Sequence, residues 1–307
     1  FGNCCKKCES NTQIYNNMKT KSFILAIALI VSVPSFAQNE TLDYTKVVNS
    51  SSFVEFEEID LDCSRDGKKI FGKIYKPKNA ETNAVPMVIH CHGFNGGYGE
   101  PEPYAKALAK SGYGCVIFDF IGGSTYSKSE GETTEMSVFT EQKDTEEVLK
   151  VVRGLNWVNQ KQIYLMGYSM GAVVSNLMAA NHPEEIAGII HVYPGLLMPE
   201  DARQRHPKEA YHSEKYNVMG VFLSHVFYDN LLDYDVFVDA KKYKGPVTLI
   251  YGTKDDMNRY GSMDKAKEAY TTTEFHLIQD GTHGFPVPEH KIETINWALD
   301  FFSKYAK

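Results

Sequence analysis

Apolar and polar positions divide the chain into short strands and amphipathic helices. Runs from Phe53 to Leu61 and from Lys69 to Tyr75 flank the turn "SRDGK" and predict an antiparallel hairpin. Beyond it the rhythm changes. "VPMVIHCHG" (85–93) is a continuous apolar strand, "PYAKALAKSG" (103–112) a helix and "YGCVIFDF" (113–120) another strand. A helix over 140–155 carries Val148, Val151, Val152 and Leu155 on one stripe. It is followed by strand "QIYLMG" (162–167), a helix over 170–181, and strands "IAGIIHVY" (186–193), "PVTLIYG" (246–252) and "TEFHLIQ" (273–279). A closing helix places Ile292, Ile295, Leu299 and Phe302 at 3-4-3 spacing. Strands apolar along their whole length, alternating with helices, predict an α/β fold: a mostly parallel sheet of about eight strands covered on both faces. The stretch from Pro194 to Lys244 interrupts the alternation and carries "VMGVFLSHVFYDNLLDYDVF". A connection of that length inside one domain reads as a lid or binding insertion after the sixth strand, spanning about 194–244.

The first residues follow different rules. Met18 is succeeded by Lys19 and Lys21, an apolar run from Phe23 to Val33, and Ser35-Phe36-Ala37. That is the layout of an export signal with a small-x-small cleavage site, and the run is too short to span a bilayer. Residues 18–37 are expected to be a signal peptide, 1–17 an upstream extension, and 38–307 one domain exported to the periplasm or the medium. No Cys follows the apolar run closely, so no lipid anchor and no stable membrane attachment are expected.

Composition is that of a globular protein, with 43% hydrophobic and 23% charged residues. Leaving out residues 1–37 removes four Lys and one Glu, so 28 basic residues face 38 acidic ones, a formal charge of −10. That balance argues against a nucleic-acid partner. Of six Cys, only Cys63, Cys91 and Cys115 fall after residue 37, an odd number with no C-x-x-C pair or zinc spacing. Neither a disulfide framework nor a metal site is expected. Cys91 lies near the end of its strand and Cys115 near the start of the next, about 10 Å apart or more and too far for a bridge.

The candidate chemistry centres on "GYSMG" (167–171). G-x-S-x-G is common in turns, but here it joins a buried strand to a helix, the context a nucleophile elbow requires. A serine hydroxyl needs an adjacent base, and the base an orienting carboxylate. "YGTKDDMN" (251–258) follows one strand and supplies Asp255; "DGTHGF" (280–285) follows the last and supplies His283. "HCHGF" (90–94) follows the third strand, where an oxyanion-binding backbone N–H is expected. The order Ser169, Asp255, His283 is that of α/β-hydrolases. His90 reads as a core histidine, His92 as a brace of the loop it precedes, and Asp119 as an acceptor for loop N–H groups.

From about residue 55 onward the chain resembles the α/β-hydrolase superfamily, and in particular its cinnamoyl (feruloyl) esterase branch. The similar features are "HGF", "GYSMGA", "YKGPVTLIYGTKDD" and "GTHGF". The resemblance implies Ser169 as nucleophile, His283 as base and then acid, and Asp255 as the residue that holds the imidazole. Asp256 is the alternative acid; the family's G-x-x-D spacing from Gly252 favours Asp255. Backbone N–H groups of Phe94 and Met170 would bind the oxyanion, and no cofactor is needed. Asp201 stands where the branch places an aspartate that meets a phenolic hydroxyl, although the next stretch, "ARQRHPKEAY", departs from the family's. An ordinary solvated residue of the insertion is the other reading. The implied activity is hydrolysis of a small ester or feruloylated saccharide through an acyl-enzyme, releasing a hydroxycinnamic acid. A short-chain carboxylesterase, an acylglycerol lipase and a non-catalytic hydrolase-like binding protein are the alternatives.

Overall fold

The computed structural model describes residues 42–205 and 215–306. The expected upstream extension and signal peptide lie outside them. Eight strands form the main sheet: β1 (Phe56–Asp60), β4 (Gly72–Pro77), β5 (Val85–Cys91), β6 (Gly114–Phe118), β7 (Val158–Tyr168), β8 (Gly188–Val192), β11 (Pro246–Gly252) and β12 (Thr272–Ile278). Their spatial order is β1-β4-β6-β5-β7-β8-β11-β12. β4 runs antiparallel to both β1 and β6, and every other pairing is parallel.

The predicted hairpin forms, but each arm breaks in two. Short strands β2 (Cys63–Arg65) and β3 (Lys68–Ile70) close around Asp66 and Gly67, both at positive φ, as a separate two-stranded ladder. Its anchor is an ion pair: Arg65 Nε meets buried Asp144 Oδ1 at 2.5 Å, and Asp144 Oδ2 accepts from the Ile121 N–H at 2.9 Å. Burial lifts the Asp144 carboxyl to about 6 even so, with Arg65 pulling the other way.

The strands are apolar throughout because both faces are covered. On β5, Met87, Ile89 and Cys91 join one core while Val88 joins the other; on β7, Ile163 and Leu165 oppose Tyr164, Met166 and Tyr168. Helices α2 (Val138–Arg153) and α3 (Met170–Asn181) cover the first face, and α1 (Glu102–Lys110) and α8 (Pro288–Tyr305) the second. Period-2 alternation across a two-sided core pins the register. It also separates the cysteines: Cys115 pairs with Val88, three residues before Cys91, an odd offset that turns the two thiols to opposite faces. Cys63, Cys91 and Cys115 are all free and buried.

The insertion contains α4 (Met198–Arg205), a hairpin of β9 (Tyr216–Val218) and β10 (Val221–Leu223), and short helices α5 (His225–Tyr228) and α6 (Val236–Ala240). One further helix, α7 (Ser262–Ala269), follows β11 and was not expected. A buried polar chain bolts the insertion to the sheet. His191 Nε2 meets Tyr270 Oη at 2.8 Å, Tyr270 donates to Asn176 Oδ1 at 2.9 Å, and Asn176 Nδ2 donates to the Val236 carbonyl at 3.0 Å. Of the insertion's aromatics, Phe227, Tyr228 and Tyr243 are buried and Phe222 is exposed.

Candidate active site

The chain leaves β5 for β6 on one side and returns across β5 to β7 on the other, so the carboxyl ends of β5 and β7 flank the switch point of the sheet. Open α/β sheets bind ligands there. Ser169 ends β7 in strained backbone geometry, with φ 50° and ψ −116°. Its glycines are spatial necessities. A Cβ on Gly167 would stand 2.5 Å from the Gly171 carbonyl oxygen and from Ser175 Oγ, and one on Gly171 would run into the Cys91 carbonyl. The strained turn is held from both sides, since the Ser169 N–H donates to Val192 O at 3.1 Å and its carbonyl accepts from the Gly195 N–H at 2.8 Å.

From loops at the ends of β11 and β12 the partners converge. Ser169 Oγ is 2.8 Å from His283 Nε2, and His283 Nδ1 is 3.1 and 3.0 Å from the two oxygens of Asp255. A carboxylate only accepts, so Nδ1 carries the proton and Nε2 faces the serine as an acceptor. The Asp255 side chain is 1% exposed and also accepts from the Met257 N–H at 2.9 Å, while the His283 side chain is 28% exposed. Asp256 is exposed, and of the two aspartates it is Asp255 that meets His283.

The loop after β5 lies against the serine. A Cβ on Gly93 would stand 3.0 Å from that of Ser169. His92 is held as expected of a brace: its Nε2 accepts from the Phe120 N–H at 3.2 Å, so its Nδ1 donates to the Gly93 carbonyl at 2.8 Å. The same carbonyl accepts from the Gly96 N–H at 2.9 Å. A trans peptide points its N–H opposite to its C=O, so these two bonds fix the direction of the Phe94 N–H. Met170, which carries the other N–H expected there, is the first residue of α3. Neither donates to a backbone acceptor among the described residues.

Asp119 is the expected acceptor, taking the Tyr98 N–H at 2.6 Å and the Lys128 N–H at 2.7 Å. His90 donates or accepts at Tyr168 Oη, 3.0 Å from its Nδ1, while its Nε2 is buried without a partner; burial pushes its pKa down to about 3. Asp201 lies on α4, 21% exposed, where its Oδ1 accepts from Tyr260 Oη at 3.2 Å and stands 3.5 Å from Arg259 Nη2. It therefore already meets one phenol, a protein one. Phe227 of the insertion sets its ring edge-on to Phe94, centroids 5.9 Å apart.

Two neighbours of the site carry no sequence signal. Tyr193 ends β8 at φ 36° and packs its ring on His283 at 5.3 Å and on Phe285 at 4.9 Å. Glu100 accepts from the Gly93 N–H at 2.6 Å and from Tyr193 Oη at 3.2 Å. The Glu100–Tyr193 pairing spans 93 positions, which periodicity does not report. A hollow of about 390 Å³ between the insertion and α7, lined by Leu196, Arg203, Phe237 and Lys265, includes none of the converging residues. Among the described residues, no three His, Cys, Asp or Glu side chains converge as metal ligands.

Residues 86–216 match the alpha/beta hydrolase fold family. The chain is 29% identical over 126 residues to a thermostable monoacylglycerol lipase of Bacillus sp. (strain H-257), covering 40% of this chain and 46% of the lipase. It is 28% identical over 190 residues to acetylxylan esterase A of Talaromyces purpureogenus, covering 58% of this chain and 47% of that protein. The chain thus spans about half the length of the curated relatives it matches. Among solved structures, Est1E from Butyrivibrio proteoclasticus with ferulic acid bound superposes with a TM-score of 0.71 at 23% identity, over 81% of this chain and 100% of that one. Strand order, elbow and family match agree that the chain has the α/β-hydrolase fold, and lipases and esterases are among the proteins it is similar to.

Proposed function

We propose that the protein is a serine-dependent carboxylic ester hydrolase acting through an acyl-enzyme. The observation that carries the reading is the unbroken relay from Ser169 Oγ through His283 to Asp255, at 2.8 Å and then 3.0–3.1 Å. Ser169 attacks the ester carbonyl as its proton passes to His283 Nε2, and Asp255 holds the resulting imidazolium in orientation. The Phe94 and Met170 N–H groups receive the charge that develops on the carbonyl oxygen. His283 then returns the proton to the leaving alkoxide, and water, activated the same way, releases the acid. Ser169→Ala is expected to lower kcat for p-nitrophenyl acetate by several orders of magnitude with the fold intact. A variant as fast as wild type removes the assignment. A fluorophosphonate probe should label Ser169, which a non-catalytic binding protein of this fold would not allow.

For the acyl group, the reading extends to hydroxycinnamates, released from a plant-polysaccharide or small ester by an exported enzyme. Its supports are the branch resemblance, the ferulate-bound structural neighbour and the position of Asp201 in the chain relative to Ser169. A substrate phenol would share or replace the Tyr260 contact. Asp201→Ala should then cost about 1.5–3 kcal/mol of kcat/KM for methyl ferulate and almost nothing for methyl cinnamate, which has no hydroxyl to donate. Equal losses on both esters, and on p-nitrophenyl acetate and butyrate, take Asp201 out of recognition. The lipase and esterase relatives favour the second reading, a short-chain carboxylesterase or acylglycerol hydrolase; a wild type that prefers butyrate to ferulate a hundredfold decides for it. Export is tested by fractionating cells that express the full sequence.

A further inference from the structure

Glu100 is the acidic side chain that touches both halves of the site without belonging to the relay. It sits at the end of the loop after β5. One oxygen, Oε2, takes the Gly93 N–H at 2.6 Å, and the other, Oε1, takes Tyr193 Oη at 3.2 Å. The loop is shaped around this carboxylate: a Cβ on Gly96 would stand 2.6 Å from Oε2, and one on Gly93 3.3 Å from Oε1. Gly93 is thereby clamped at both ends, its N–H by Glu100 and its carbonyl by His92 and the Gly96 N–H. The peptide that follows carries the Phe94 N–H. Tyr193, at the other end of the carboxylate, meets the His283 ring edge-to-face.

We propose that Glu100 is a positioning residue, one carboxylate that aims the oxyanion-binding Phe94 N–H and, through its charge, favours the imidazolium that His283 becomes during the reaction. The inference rests on the ester-hydrolase reading and deepens it. Geometry supplies the first half, since no other side chain holds the Gly93 N–H among the described residues. Charge supplies the second. Burial raises the Glu100 carboxyl, against the opposing pull of the Gly93 N–H, the Tyr193 hydroxyl, the protonated form of His283 and the Lys291 ammonium. The other titratable groups that feel Glu100 are Tyr104 from α1, Tyr126 from the loop after β6, Tyr168 from the end of β7 and Tyr193 from the end of β8. Burial holds all four phenols neutral, so among these groups the cations facing the carboxylate are Lys291 and, once it takes the serine proton, His283.

The test compares wild type, Glu100→Gln and Glu100→Asp on p-nitrophenyl acetate from pH 5 to 9, with Ser169→Ala as the background. Gln keeps the shape and removes the charge; Asp keeps the charge on an arm too short for the Gly93 N–H. Glu100→Gln is expected to lose about 10- to 100-fold in kcat with KM changed less than about 3-fold, and to move the acid limb of kcat/KM to lower pH. Glu100→Asp should lose kcat comparably but keep the acid limb near that of wild type. A Glu100→Gln enzyme with wild-type kcat and an unmoved limb overturns the proposal, as does a limb that moves equally in both variants. Should Ser169→Ala prove as active as wild type, the ester-hydrolase reading fails by itself. Glu100 is then judged by the His283 ring titration in NMR: a lower midpoint in Glu100→Gln supports the coupling, and an unmoved one refutes it.

Discussion

Replacing Asp255 by Asn tests the relay most sharply, because it changes one proton and almost no volume. In the native site the two carboxylate oxygens accept from His283 Nδ1–H at 3.1 and 3.0 Å, and Oδ1 also takes the Met257 N–H at 2.9 Å. An asparagine keeps its oxygen on the Met257 N–H, so its NH₂ falls opposite His283 Nδ1. Two donors facing each other repel, and the aspartate side chain is 1% exposed. The imidazole must therefore move its proton to Nε2, the atom 2.8 Å from Ser169 Oγ. A protonated Nε2 no longer accepts the serine proton, and wrong-tautomer variants of this geometry lose about 10⁴ in kcat, or roughly 5.4 kcal/mol of transition-state stabilisation. The assay is the burst and steady state of p-nitrophenyl acetate hydrolysis for Asp255→Asn beside Asp256→Asn, whose exposed side chain should cost less than about 2-fold. The reasoning fails if Asp255→Asn retains a tenth of wild-type kcat, or if Asp256→Asn proves the more damaging change.

Gly171→Ala drives a methyl into the Cys91 carbonyl, backbone against backbone, and should destabilise by about 3 kcal/mol or more in urea unfolding; a loss under about 0.5 kcal/mol contradicts the packing of the elbow. Tyr270→Phe strands His191 Nε2–H and Asn176 Oδ1 inside the core, so a loss of about 1–3 kcal/mol is expected, and a neutral result would mean the insertion is held by other means. Burial pushes His191 down to about 3, below its unfolded value near 6.5, so the folded state binds fewer protons between these limits. Its contribution is complete above about pH 6.5 and is lost as pH falls toward 3, at up to about 1.4 kcal/mol per pH unit. His191→Asn should therefore flatten the pH dependence of the urea midpoint between pH 4 and 6.5 relative to wild type, and parallel curves refute the assignment.

Much of this molecule was legible in its sequence because the relevant physics is local or periodic. β11 (Pro246–Gly252) and α3 (Met170–Asn181) fall on the expected residues, since a strand buried on both faces must be apolar throughout and a helix below the elbow must start where the glycine turn releases it. The spacing from Gly252 favours Asp255, the aspartate that meets His283, and the expected offset of three or four residues between Cys91 and Cys115 is three in the sheet register. Helix α7 escaped notice because its core side is made of Ala266 and Ala269, small residues that leave little hydrophobic pattern. The hairpin arms break at Leu61–Asp62 and at Phe71, and the outer ladder is held by Arg65 on Asp144, 79 residues away. The clamp on the oxyanion loop joins Glu100 to Tyr193 across 93 positions, and the insertion is seated through Asn176 and Val236 across 60. Periodicity records which face of an element is buried, never which distant polar group it will meet there. Those meetings are decided when the sheet assembles, because only a buried polar atom without water must find its partner within the protein.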